Sequence, residues 1–156
     1  MKSKNKAKWI LLMIIIACMT VISCTTKTVY HHYRSINDDK WNRTDTVFFT
    51  LPDSIENGTY LTHIGIRHTV SYPYRDLWLS VSLPGKTEPD TVQLYLANDR
   101  GNWNSNGTAS GYYQYETDGP SFIYNEGCDS VIKVSHIMKG FTLPAITDIG
   151  LKITRE

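Results

Sequence analysis

Leu77-Trp78-Leu79-Ser80-Val81-Ser82-Leu83 alternates without a break, with leucine or valine at every odd position and tryptophan or serine between them. Successive side chains of an extended strand point to opposite faces, so this period of two describes a strand with one face in a core and the other in solvent. Leu77, Leu79, Val81 and Leu83 face inward and Trp78 faces outward. Pro84-Gly85 supplies a turn, after which Val92, Leu94 and Leu96 repeat the inward pattern and Gln93 and Tyr95 the outward one. The two runs predict a hairpin.

The same signature recurs on either side. Val47, Phe49 and Leu51 share a face ahead of Pro52, and Tyr60, Thr62, Ile64 and Ile66 share one after Asn57-Gly58, with His63 and Arg67 opposite. The short loop between them predicts that these two strands pair. Tyr112 to Tyr115, Phe122 to Tyr124, the stripe Ile132, Val134 and His136, and finally Thr147, Ile149, Leu151 and Ile153 complete the pattern. Asn98 to Gly111, rich in Gly and Asn, reads as a long loop. Helical periodicity is almost absent. Seven or eight short strands separated by turn residues predict an all-β fold, an antiparallel two-sheet β-sandwich of jelly-roll or immunoglobulin-like type.

The first 23 residues stand apart. Lys2, Lys4, Lys6 and Lys8 precede an apolar run from Trp9 to Ile22 interrupted only by Thr20. A spanning helix needs about 20 apolar residues, more than this run supplies, so the segment reads as a cleaved secretory signal peptide. Val21-Ile22-Ser23-Cys24 has the form of a bacterial lipobox, which predicts cleavage after Ser23 and diacylglycerol on the Cys24 thiol. Several acyl chains on one cysteine attach a protein stably where one chain does not. Residues 24–44 are polar, with isolated Tyr30, Tyr33, Ile36 and Trp41 and no period, and read as a lipidated tether that docks on a domain of residues 45–156.

Charge and cysteine usage narrow the function. The signal peptide takes four of the 16 basic residues and none of the 15 acidic ones, so the mature chain is slightly acidic. That excludes a nucleic-acid footprint and a polybasic grip on anionic lipid. With Cys18 removed and Cys24 acylated, Cys128 has no partner and reads as a buried thiol.

Catalytic constellations are equally absent. His31 and His32 point apart in an extended chain, and no third ligand stands at a metal spacing. Asn102 to Gly107 mimics the start of a calcium loop, but Tyr113 occupies the position of its bidentate carboxylate. No nucleophile elbow, zinc helix or phosphate loop is found, and the carboxylate pairs lie in turns. Neither enzymatic activity nor a metal or cofactor is expected.

Aromatic residues point elsewhere. Ten tyrosines and, after cleavage, Trp41, Trp78 and Trp103 are many for this length, and some must face outward. Outward aromatics serve protein recognition, stacking on sugars, or simple cross-strand packing. Tyr72-Pro73-Tyr74 is held extended by its proline and leads into the strand of Trp78, with Arg67 outward on a preceding strand. Aromatics beside arginine are the composition of an interface anchor. Arg67, Tyr72, Tyr74, Trp78 and Trp103 are therefore the candidate binding surface.

These segments also carry a resemblance. Tyr33, Trp41, Asp45, Phe48 and Arg67, then Ser71-Tyr72-Pro73-Tyr74-Arg75-Asp76-Leu77-Trp78-Leu79, Leu96-Ala97-Asn98-Asp99, Gly101-Asn102-Trp103, Met138-Lys139 and Leu143-Pro144-Ala145-Ile146-Thr147-Asp148-Ile149-Gly150-Leu151 together resemble the GldH family of gliding-motility lipoproteins. The resemblance implies a lipid-anchored protein of the cell envelope, in the outer membrane, tied to the gliding apparatus and its secretion system. It implies an envelope protein as partner and brings no catalytic residues; a carbohydrate-binding module, with a glycan as ligand, is the runner-up. Asp45-Thr46-Val47, Asp53-Ser54-Ile55, Asp90-Thr91-Val92 and Asp129-Ser130-Val131 each resemble the Asp, Ser/Thr, aliphatic acceptor of O-glycosylation in exported proteins of the same phylum. Each is also an ordinary turn opening into a strand.

Protein taken from its native envelope is expected to partition into detergent, to carry acyl mass on Cys24, and to carry sugar at one or more of Thr46, Ser54, Thr91 and Ser130. Cys24→Ala is expected to remain uncleaved after Ser23. An intact-mass spectrum matching the bare polypeptide would contradict both modifications.

Overall fold

A computed structural model describes residues 27–105 and 107–156. Ser23 and Cys24, with the rest of the signal peptide, lie outside the described residues. The strands are β1 (Thr28–Ser35), β2 (Lys40–Asn42), β3 (Val47–Thr50), β4 (Gly58–Thr69), β5 (Asp76–Ser82), β6 (Asp90–Tyr95), β7 (Tyr112–Tyr124), β8 (Val131–His136), β9 (Thr142–Pro144) and β10 (Ile146–Arg155). Two antiparallel four-stranded sheets run β1-β10-β4-β7 and β3-β8-β5-β6, and β2 pairs with β9. Among the described residues no helix is long and apolar enough to cross a membrane.

Every connection between the eight strands of the large sheets changes sheet, except the β5–β6 hairpin expected from the alternation around Pro84-Gly85. Lettered B to I in chain order, the sheets are B-I-D-G and C-H-E-F, the double Greek key of a jelly roll. The fold is thus of the first of the two expected types.

Three expectations change. β3 and β4 do not pair: β3 lies against β8, and β4 lies between β10 and β7, because the Pro52–Asn57 turn carries the chain across the core. The segment read as a tether is largely folded, since β1 pairs with β10 along its length and the sheet begins at Thr28. Tyr112–Tyr115 and Phe122–Tyr124 are the two ends of one strand, β7, running through Gly119-Pro120. β7 is an edge strand, and Pro120 sits near an irregularity in its ladder with β4, both settings that tolerate a missing N–H.

The inner faces close on one core. Tyr60, Ile64, Ile66, Phe122, Ile149, Leu151 and Ile153 from one sheet meet Phe49, Leu77, Leu79, Val81, Leu94, Ile132 and Val134 from the other, all essentially inaccessible. Burial of each such side chain contributes about 1.5–3 kcal/mol. Trp41 from β2 is also fully buried, donates its indole N–H to the Asp45 carbonyl at 2.7 Å, and sets its ring edge against His136.

The crossings sort the molecule into two ends. At the near end the chain enters at Lys27, whose carbonyl accepts the Arg155 N–H at 3.0 Å. The turns 51–57, 83–89 and 125–130 lie beside it. The far end carries the connections 36–46, 70–75, 96–111 and 137–145, three of them longer than any at the near end.

On the outer face of the first sheet, Tyr33 lies across Gly150 and Gly65, where a Cβ on either glycine would overlap its ring. The Arg67 guanidinium sits over that ring, 4.1 Å from its centroid. Gly150→Ala is expected to destabilise by about 1–3 kcal/mol through overpacking, and by much less in a Tyr33→Ala background, as read by urea denaturation. Additive costs would contradict the stacking of Tyr33 on the glycines.

Candidate functional site

The outward face of β5 meets the start of the 137–145 connection at the far end. Trp78 remains 37% exposed, and its indole N–H donates to Asp76 Oδ2 at 2.8 Å. The same oxygen accepts the Gln93 side-chain amide at 3.0 Å, and the Tyr95 hydroxyl donates to Gln93 Oε1 at 2.7 Å. The cross-strand pairing of Trp78 with Gln93 and of Asp76 with Tyr95 builds this chain. It fixes the indole in one orientation and leaves part of the ring in solvent.

The opposite wall is backbone-tied. Ile137 donates its N–H to the Trp78 carbonyl at 2.9 Å, and the Trp78 N–H points at Met138 Sδ at 3.4 Å. Arg43 donates to the Met138 carbonyl from the outside. Between the walls lies an open recess of about 490 Å³ lined by Tyr74, Asp76, Trp78, Ile137, Met138, Lys139 and Gly140. Its surface is mostly apolar, with Tyr74, Ile137 and neighbouring Phe141 all exposed. Such a recess suits an apolar side chain.

The predicted surface residues part company here. Tyr74 and Trp78 line the recess together. Tyr72 does not: it is buried, donates its hydroxyl to the Asp76 carbonyl at 2.9 Å, and has its phenol pKa pushed up by burial, so it anchors the 70–75 connection in the core. Trp103 is half-buried, with its ring centroid 4.5 Å from that of His68 and 5.7 Å from that of Tyr113, and seals the long loop onto the first sheet. Arg67 points out of the other sheet, where its Nε–H donates to Gln114 at 2.9 Å. The 70–75 connection crosses the sandwich, so Arg67 and Trp78 face opposite sides of it. Ile137 escaped the sequence reading and Met138 entered it only through the resemblance, although an apolar pair directly after the Ile132-Val134-His136 stripe breaks the alternation and marks an apolar group outside it.

Of the acceptor sequences, Ser54 and Thr91 are exposed, and Thr46 and Ser130 are half-buried. Asp129 also accepts the Val131 N–H at 3.0 Å, as a turn-closing residue does.

Two histidines are structural. His68 is fully buried among Tyr72, Trp103 and Tyr113 and donates its Nδ1–H to the Thr69 carbonyl at 3.0 Å. His136, placed by the sequence in one stripe with Ile132 and Val134, is fully buried and donates its Nε2–H to the Trp41 carbonyl at 3.1 Å. Burial lowers the pKa of both below the ordinary imidazole value, against a smaller opposing effect of the carbonyls.

Fold and recess together describe a jelly-roll domain with an open apolar groove at one end. The GldH lipoprotein family profile matches residues 28–153 of it. The chain belongs to that family and is a lipid-anchored protein of the cell envelope associated with gliding motility. It is 26% identical over 151 residues to the gliding motility lipoprotein GldH of Flavobacterium johnsoniae, covering 92% of this chain and 94% of the relative. A GldH homolog of Christiangramia forsetii is 32% identical over 84 residues, 52% of this chain and 51% of that one. Among solved structures, the Drosophila NLP core superposes with a TM-score of 0.40 at 9% identity, over 81% of this chain and 98% of that one.

The buried histidines set a pH dependence. The unfolded chain takes up protons near pH 6.5, before the folded one does, so stability is fully present above that value and falls as the pH drops below it. The urea midpoint is expected to be lower at about pH 5.5 than at about pH 7.5, with a smaller difference in His68→Phe. Equal midpoints in the wild-type protein would contradict neutral buried imidazoles.

Proposed function

We propose that this protein is a non-enzymatic accessory lipoprotein of the outer membrane, cleaved after Ser23 and acylated on Cys24, whose folded domain holds another envelope protein through the far-end groove. The observation that carries the reading is the exposed Trp78 indole, fixed by Asp76 and facing Ile137 and Met138 across an apolar recess. Large exposed aromatics held rigid beside an apolar pocket are the usual anchors of protein recognition. Most of the segments that resemble GldH lie at or start from the same end: Trp41, Ser71 to Leu79, Leu96 to Trp103, Met138-Lys139 and Leu143 to Asp148. The partner belongs to the gliding apparatus or its secretion system and presents an apolar side chain to the groove.

A glycan is the poorer occupant. Sugar sites surround an aromatic platform with free polar groups, whereas the Trp78 N–H, Asp76 Oδ2 and Gln93 here bond to one another.

A photo-reactive residue at Ile137 is expected to crosslink a defined protein in intact envelopes. Trp78→Ala should weaken its retention by about twentyfold or more, the effect of losing an anchor of about 2 kcal/mol, with thermal unfolding nearly unchanged. Arg67→Ala should bind as wild type. Binding unaffected by Trp78→Ala, or retention of the domain on glycan beads instead, would overturn the proposal.

A further inference from the structure

The folded sheet begins very close to the lipid. Thr28 already pairs with Thr154, and the Lys27 carbonyl accepts the Arg155 N–H. Only Thr25 and Thr26 separate Lys27 from Cys24. A fully extended chain covers about 3.3–3.6 Å per residue, so Thr28 stands no more than about 14 Å from Cys24. The sandwich is much longer than its tether: β4 alone has 12 residues, about 40 Å of strand.

We infer that the near end of the jelly roll rests against the headgroups of the anchoring leaflet, and that the groove is held away from that leaflet by the length of its own strands, β5 and β8, with 7 and 6 residues or about 20 Å. The ladder with β10 fixes the direction of β1, so the chain leaves the domain along the strand axis, out of the near end. Laying the body on its side would require a sharp bend within two or three residues. Nothing in the charge balance rewards that bend, because the mature chain is slightly acidic and gains no attraction from an anionic leaflet. The surface presented to the headgroups is the Pro52–Asn57 turn, the Pro84–Lys86 turn and the 125–130 loop, where Asp53, Glu56, Glu126 and Asp129 outnumber Lys27 and Lys86, so the acyl chains and the short tether, not charge, hold it there. A partner in the groove is then met by a soluble envelope domain, not by a membrane-embedded segment.

This inference rests on acylation at Cys24. The test uses full-length protein purified from its own envelope, with Cys128→Ser and one reporter cysteine, Glu126→Cys at the near end or Lys139→Cys at the groove, both positions exposed. Each is labelled with a donor dye and placed in phosphatidylethanolamine and phosphatidylglycerol vesicles carrying a headgroup acceptor. From the ~20 Å length of β8 between them, transfer at position 126 should exceed that at position 139 about twofold or more. A flexible Gly/Ser insert of about 20 residues between Thr26 and Lys27 should abolish most of the difference. Equal transfer from both positions, or stronger transfer from position 139, would overturn the upright orientation. Vesicle flotation and intact mass report acylation separately, so protein that fails to float would instead overturn the anchor and the orientation with it.

Discussion

The insertion of β10 between β1 and β4 is the interaction on which the rest of the structure depends. Ile149 faces Ile66 and Leu151 faces Ile64 on the inner side of the sheet, while Gly150 and Gly65 lie together on the outer side under Tyr33. Without β10 the first strand has no neighbour and the core lacks one wall. Pairing residues so far apart in the chain delays closure of the sheet until residue 155 is in place, which predicts slow folding of a topology dominated by non-local contacts. The same insertion brings Lys27 beside Arg155, and so fixes which end of the sandwich carries the lipid.

The working surface follows from what the crossings demand. Two packed sheets stand about 10 Å apart, and a segment bridging them cannot bury all its large side chains. In the 70–75 connection Tyr72 turns into the core and Tyr74 stays outside. In the 137–145 connection Leu143 is fully buried, whereas Ile137 and Phe141 are left exposed beside Trp78. The groove is therefore the apolar remainder of two crossings that meet at one end, given a fixed shape by Asp76 and by the Ile137–Trp78 backbone bond.

Much of this was legible in residue pattern because burial on one face imposes a period of two. Leu77 to Leu83 and Val92 to Leu96 were read as a hairpin with its correct inward residues, and the strand of Ile132, Val134 and His136 likewise. β1 was not legible. As an edge strand at the mouth of the sandwich it buries Tyr30 and leaves His31, His32 and Arg34 exposed, so no alternation survives. The partnering of β3 failed for another reason, since Asn57-Gly58 serves a turn equally well whether the next strand returns along the same sheet or crosses to the other. Of the expected surface, Trp78 was placed outward by a clear strand period and Tyr74 beside it by the proline-extended Tyr72-Pro73-Tyr74, whereas Arg67 was joined to them only because sheet membership is invisible in a sequence. The lipobox reading depends on a contiguous chemical signal and not on the fold, and its residues lie outside the described structure.

The most direct test of the account is a hydrogen-exchange footprint that compares the protein in isolated native envelopes with the purified, detergent-solubilised protein. The account predicts slowed exchange in envelopes at residues 72–78 and 137–141, where a partner covers the groove. Protection on the outer face of the opposite sheet, around residues 31–35 and 114–118, with residues 72–78 and 137–141 unchanged, would contradict it.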